Sequence, residues 1–237
     1  MLSIIIPTLN EQDYLSLLIE SIKKQEIEDL EIIVSDAGSK DKTIEIAKDY
    51  NCNVVKGGLP AKGKNEGVRY AKGNLLLFLD ADTMLLKDSL KGFLKEFKER
   101  KLDIAVCLVE PFKKNIFSNL YYNIFFNLPP IVLERIYPNG VGFILIRKDI
   151  HEKINGFNEE IVIGEDHHYL RKASKIGKCR VLRSSRILFS ERRPEKEGWF
   201  KLIFRYILMS FYTIFFGTIK SGIFKYKFGN FSKKKKD

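Results

Sequence analysis

Leu75-Leu76-Leu77-Phe78-Leu79 is an apolar run that ends abruptly at Asp80-Ala81-Asp82. A run this short, with no polar residue inside it, reads as a strand buried on both faces. Such a strand belongs to a sheet covered by helices on two sides. Two carboxylates at its exit are costly to desolvate without a compensating charge. A divalent cation bound to oxygen ligands is one compensation. Acids that cap the next helix are the alternative.

The rest of the first half repeats this theme. Residues 3–6 read as a strand stopped by Pro7, 31–35 as a second strand and 53–55 as a short third. Between them, Tyr14, Leu15, Leu18, Ile19 and Ile22 give residues 11–25 a helical spacing. Residues 41–50, 62–72 and 87–100 also read as helices, with Ser39 or Asp41 as N-cap of the first. Strand-helix alternation implies an α/β fold, a mostly parallel central sheet with helices on both faces. Ligands bind such sheets beyond the carboxyl ends of the strands. Residues 7–11, 36–39 and 80–82 all fall at that edge.

The second half is less regular. Residues 115–133 are rich in aromatics and are interrupted by Pro129-Pro130. Residues 142–147 and 178–183 read as later strands, and 169–176 as a helix. The tail, 199–228, is strongly apolar, but its longest uncharged stretch, 206–219, is shorter than the roughly 20 residues of a membrane span. Lys201, Arg205, Lys220 and Lys225 flank it. A helix lying in a membrane interface has this pattern, and so does a C-terminal helix packed on the domain.

The formal net charge of +11 over 237 residues points to an anionic partner: nucleic acid, an acidic membrane surface or a phosphorylated substrate. Much of that excess is local, because Lys225, Lys227 and Lys233 to Lys236 crowd the end of the chain. Such a run is attracted to anionic lipid or is simply a solvated tail. Cys52, Cys107 and Cys179 are far apart and odd in number, which argues against a disulfide framework and for a reducing, cytoplasmic setting. The opening residues carry no secretory signal.

Four further groups carry candidate chemistry. Asp36 follows a strand and can bond a ribose or base, while Gly38 lets backbone approach a ligand; a plain strand-to-helix turn needs the same residues. Gly58-x4-Gly63-Lys64 nearly matches a phosphate loop, but Asn65 stands where a metal-binding hydroxyl belongs, so that reading fails. Lys62 and Lys64 can still meet a diphosphate as point charges, or form a solvated helix face. Glu165-Asp166-His167-His168 opens a helix, where acids cap, and where a carboxylate can serve as general base. Arg192-Arg193 suits bidentate phosphate binding, or a basic surface turn.

Six segments, in order, resemble the family-two inverting glycosyltransferases. They are residues 3–11 (SIIIPTLNE), 34–43 (VSDAGSKDKT), 61–67 (AKGKNEG), 79–82 (LDAD), 139–147 (NGVGFILIR), and the pair 156–159 (GFNE) and 164–166 (GED). The resemblance covers roughly residues 3–195. It implies a Rossmann-like nucleotide-diphospho-sugar transferase fold with a mixed acceptor half. Pro7, Thr8, Glu11 and Asp36, with Gly38, would meet the nucleoside. Lys64 stands where the family often has an arginine near the diphosphate. Asp80 would approach ribose and metal, Asp82 would bind Mg2+ or Mn2+, and Asp166 would be the base. Gly140, Glu165, Arg192 and Arg193 are candidate acceptor or phosphate contacts.

The expected arrangement is a catalytic domain over 1–195, with a nucleotide-sugar half (1–100) and an acceptor half (101–195). A C-terminal membrane-interface segment with a basic tail follows over 196–237. The Gln-x-x-Arg-Trp signature of processive synthases is absent, so transfer of a single sugar is expected. The acceptor would be a sugar or lipid-linked molecule at the inner face of the cell membrane, reached by peripheral contact through 199–237, with no nucleic acid involved. Two alternatives stand beside this: a sugar-phosphate nucleotidyltransferase, whose glycine-rich opening loop is missing at Pro7 to Glu11, and a non-catalytic basic module binding membrane or nucleic acid.

Overall fold

The computed structural model describes residues 1–113 and 115–219, so the lysine-rich run beyond 219 lies outside it. The first half runs β1 (Leu2–Thr8), α1 (Leu15–Lys23), β2 (Leu30–Asp36), α2 (Thr43–Asp49), β3 (Asn53–Lys56), α3 (Pro60–Tyr70), β4 (Leu75–Leu79), β5 (Thr83–Leu85) and α4 (Ser89–Glu99). The second half runs β6 (Ile104–Pro111), α5 (Ile116–Tyr122), a π-helical turn (Asn123–Asn127), α6 (Leu128–Leu133), β7 (Phe143–Arg147), α7 (Lys148–Lys153), α8 (Glu165–Ala173), β8 (Cys179–Phe189), α9 (Arg192–Glu197) and α10 (Trp199–Phe216).

One eight-stranded sheet has the order β3-β2-β1-β4-β7-β6-β8-β5. The first four strands are mutually parallel. β7 runs antiparallel between β4 and β6. β8 pairs parallel to β6, and the short β5 closes the far edge antiparallel to β8. The mixed second half follows from β7 lying reversed where a parallel strand would continue the first pattern.

Alternation along β1 divides the core. Ile4 and Ile6 face one hydrophobic cluster with Leu15, Leu18, Ile19 and Ile22 of α1. Ile5 faces the other, with Ala61 and Val68 of α3 and Tyr169, Leu170 and Ala173 of α8. Burying each of these large aliphatic side chains contributes roughly 1.5–3 kcal/mol before entropy is charged. Helix α3 starts with Pro60 in its first turn, where a missing N–H costs nothing. A side chain on Gly67 would collide with Ile5, so glycine sets how closely α3 lies on β1.

Several boundaries differ from the sequence reading. β1 continues through Pro7 to Thr8. Its pairing with β4 ends at Ile5↔Phe78, so the donor that proline lacks is not needed on that side. The helix expected from residue 11 begins at Leu15, because residues 9–14 form the turn that carries Glu11. Asp41 does serve the start of α2, accepting Thr43 N at 3.0 Å, while Ser39 is drawn back to Asp36. β6, unread in the sequence, occupies the apolar run from Ile104 to Val109. β8 continues past residue 183 to Phe189, with a register shift against β6 between Cys107 and Leu108.

Candidate active site

The carboxyl ends of β1, β2 and β4 place Thr8, Asp36 and Asp80 along one edge. Asp36 is buried and fully engaged. Its carboxylate accepts Thr8 Oγ1 at 2.9 Å, Gly38 N at 2.9 Å, Ser39 N at 2.7 Å and Ser39 Oγ at 2.5 Å. Gly38 has φ +93, a left-handed conformation that side-chain-bearing residues rarely adopt, which turns the chain back onto Asp36. Asp36 is therefore held by its own turn.

Glu11 and Asp82 meet through Arg192. The guanidinium donates Nη1 to Glu11 Oε2 at 2.6 Å, Nη2 to Glu11 Oε1 at 2.8 Å and Nε to Asp82 Oδ2 at 2.9 Å. It also lies over the Tyr14 ring, 4.9 Å from its centre. The backbone delivers it there: β5 pairs with the end of β8, and Ser190 N donates to Asp82 O at 3.1 Å. Burial pushes Glu11 well above the usual carboxylate range, against the pull of Arg192. Burial works against the Arg192 charge as well, yet Asp82 and Glu11 raise it further above its ordinary value. Arg193 points elsewhere, 3.6 Å from Glu197.

A second cation sits across the cleft. Lys64 is 1% exposed; its Nζ donates to Asp166 Oδ1 at 2.5 Å and to Glu165 Oε1 at 3.1 Å. It also stands over the Phe157 ring, 5.2 Å from the centre. Burial alone would lower this ammonium, but Asp166, Glu165 and Asp80 together raise it far above the ordinary lysine value. The solvated helix face offered as an alternative for Lys64 is thus corrected: its side chain is buried as the counterion of Asp166 and Glu165. The spacing of Ala61, Lys64 and Val68 on the buried face of α3 was the signal for this.

Asn65, the residue that spoils the phosphate-loop match, has a structural role. Its Oδ1 accepts Phe157 N at 2.9 Å, and its Nδ2 donates to Phe157 O at 2.9 Å and to Glu159 Oε1 at 2.9 Å. This clamps the 156–159 turn to α3. Phe157 then stacks on Tyr169 at 3.7 Å and 5°, and Phe78 of β4 packs edge-on against both. Tyr169 Oη and His151 Nδ1 are 2.7 Å apart. Phe78 precedes Asp80 by two residues and Tyr169 follows Asp166 by three, so this aromatic stack sets the relation between the two acid clusters.

Glu165 and Asp166 lie in the first turn of α8, where the helix dipole favours negative charge; Gly164 before them has φ +79. Burial raises Glu165, only partly offset by Lys64. His167 is depressed by burial. Gly140 packs against the sheet: a Cβ there would meet Val106 at 2.6 Å.

Among the described residues no cluster of three or more His, Cys, Asp or Glu side chains is placed to hold a metal. Asp80 makes no side-chain hydrogen bond among them, and burial raises it strongly, with Lys64 pulling down and Asp166, Asp82 and Glu165 pushing up. A desolvated carboxylate without a hydrogen-bond donor, beside Asp82, fits a cation held by one or two carboxylates plus substrate phosphate oxygens.

Sheet, switch in strand direction and converging acids define a nucleotide-diphospho-sugar transferase fold of the A type. Solved structures share it. The mannosyltransferase PcManGT from Pyrobaculum calidifontis, in complex with GDP-Man and Mn2+, matches with TM-score 0.70 and 18% identity over 94% of this chain and 66% of that one. Staphylococcus aureus TarS 1-349 in complex with UDP-GlcNAc matches with TM-score 0.65 and 21% identity over 81% and 59%. The sequence pattern of glycosyl transferase family 2 matches residues 3–157, and the chain belongs to that family. It is 36% identical over 121 residues to the GalNAc(5)-diNAcBac-PP-undecaprenol beta-1,3-glucosyltransferase of Campylobacter jejuni, covering 46% of this chain and 38% of that protein. It is 31% identical over 114 residues to the poly(ribitol-phosphate) beta-N-acetylglucosaminyltransferase TarS of S. aureus, covering 44% and 20%. The matched segments thus span well under half the length of these curated relatives.

Proposed function

We propose that this chain transfers one sugar from a nucleoside-diphosphate sugar to an acceptor hydroxyl, with inversion and with a divalent cation. The observation that carries the reading is the convergence of Asp80 and Asp82, at the end of β4, with Asp166, at the start of α8, across one sheet edge. Residues 1–100 form the donor half and 101–195 the acceptor half, with 196–237 as the appended segment. Pro7, Thr8, Glu11 and Asp36 line the nucleoside side. Asp80 and Asp82 hold Mg2+ or Mn2+, and Arg192 adds fixed positive charge beside them. A cation bound there would offset the charge that accumulates on the departing diphosphate.

Asp166 takes the proton from the acceptor hydroxyl onto a carboxylate oxygen. The hydroxyl oxygen bonds to the anomeric carbon from the face opposite the diphosphate, and the broken bond's electron pair leaves with the diphosphate. One displacement inverts the centre, and no protein nucleophile is required. Lys64 stays protonated and holds Asp166 in place for this step. A lipid-linked acceptor is the finer reading. It is supported by the name of the Campylobacter relative, which carries PP-undecaprenol, and it would place the enzyme at the inner membrane face.

Thermal unfolding with UDP, GDP and dTDP, with and without Mn2+, tests this proposal. One nucleotide should raise Tm only with metal, since binding to the native state stabilises it, and Asp82→Asn should abolish the shift. Absence of any shift in folded protein would overturn the transferase reading in favour of a non-catalytic module.

A further inference from the structure

Large exposed apolar residues elsewhere on the molecule, such as Leu17, Leu59 and Ile176, are isolated, which is ordinary. One face differs. Ile116, Leu120, Ile124, Leu128, Val132 and Ile136 recur every fourth residue through α5, the π turn, α6 and the turn beyond, and all six are exposed, Ile116 and Ile136 at 89% and 84%. A four-residue repeat drifts around an α-helix of 3.6 residues per turn. The wider π turn winds the row partly back, and all six side chains remain exposed. The opposite side of this segment is anchored: Tyr121 and Tyr122 are buried, and Asn127 bonds both N and O of Val109 in β6.

A second row lies on α10. Phe200, Phe204, Ile207 and Leu208 are exposed at helical spacing, Phe200 at 82%, while Leu202 and Met209 are buried. The two rows are neighbours. Trp199 packs on Phe117 at 5.1 Å and on Tyr121 at 4.8 Å, and Tyr206 packs edge-on against Phe126 at 6.2 Å.

The charge beside these rows selects the occupant. Lys201 and Arg135, both exposed, stand among the apolar side chains. The acids nearby are already engaged: Glu134 accepts Val181 N at 3.1 Å, Glu195 pairs with Lys113 at 2.5 Å and Glu197 with Arg205 at 2.5 Å. Beyond α10 the chain carries Lys220, Lys225, Lys227 and Lys233 to Lys236 against a single acid, Asp237. No described helix is long and apolar enough to cross a membrane. Projecting aliphatic and aromatic side chains with exposed cations among them suit a fluid anionic surface, which needs no complementary holes.

We propose that α5, the π turn, α6 and α10 together form a face that docks on an anionic lipid bilayer, with both apolar rows inserted at the headgroup boundary. α9 links this face to the site, since it begins at Arg192, bonded to Glu11 and Asp82, and ends just before α10. The docking is independent of the transferase reading, and its test involves no turnover.

The full chain is mixed with vesicles of phosphatidylcholine alone or with one-quarter phosphatidylglycerol, and bound protein is separated by flotation. Val132→Asp probes the first row and Phe204→Asp the second; both sites are exposed, and unchanged Tm confirms folding. Wild type should bind the anionic vesicles, about tenfold less the neutral ones, and each variant should bind at least tenfold less. Brominated lipid should quench Trp199, the chain's single tryptophan, which lies between the rows. Three results would overturn the proposal: no binding to anionic vesicles, wild-type binding by Val132→Asp, or a change from dimer to monomer in Val132→Asp without vesicle binding. The last would assign the face to a second copy of the chain.

Discussion

The turn after β2 and the long-range ion pairs of the site hold their acids by opposite means. Asp36 is fixed by donors no more than three residues away, apart from Thr8 on the adjoining strand. Asp166 is fixed by Lys64, 102 residues away, and Asp82 by Arg192, 110 residues away. A turn-bound carboxylate forms as soon as its strand does. An ion-paired one forms only when the whole sheet has closed. The proposed nucleoside contact therefore rests on local structure, and the proposed base and metal ligand rest on global packing.

The largest test of that contrast is Asp166→Asn. Transfer to a hydroxyl acceptor should fall about 100- to 10,000-fold in kcat, while the nucleotide-dependent Tm shift survives, because Asp36, Asp82 and Glu11 keep their partners. Turnover within a few-fold of wild type would remove Asp166 from the base role. Next is Lys64→Met, which leaves Asp166, Glu165 and Asp80 without their shared counterion. Removing one partner of a buried ion pair costs about 3–5 kcal/mol, so denaturant midpoints should drop strongly; a loss below about 1 kcal/mol would show that the acids simply take up protons.

The third prediction concerns pH. Burial, aided by Lys148, lowers His151 from 6.5 to about 4. Unfolded chain binds a proton below about 6.5 that the fold refuses until about 4, so stability falls as pH falls through that window. Between pH 7 and 5 the wild type should lose about 2 kcal/mol more than His151→Gln. Equal losses would mean that His151 is protonated in place beside Tyr169.

The same contrast explains what the sequence revealed. β1 to β4 could be read because each is a short apolar run between helical periods. Asp36 and Asp80 could be placed because strand ends follow from the runs. β5 has three residues, too few for a period to show. β6 was equally legible from Ile104-Ala105-Val106-Cys107-Leu108-Val109, an apolar run bracketed by Asp103 and Glu110-Pro111. The bond from Arg192 to Glu11 spans 181 positions, and no local spacing encodes it. The burial of Lys64 was not read, because lysine is rarely buried, although its place in the α3 period points inward.

The position of β7 has a consequence for how the chain is made. β7 lies between β4 and β6 in the sheet but follows β6 in the chain. When β6 leaves the ribosome, the slot beside β4 has no occupant, and β6 must wait with six consecutive apolar residues, Ile104 to Val109, uncovered. At about 5–20 residues per second that wait lasts roughly 2–7 s. Nascent chains arrested between residues 111 and 147 should therefore be the most chaperone-dependent of the series, whatever the stability of the finished enzyme.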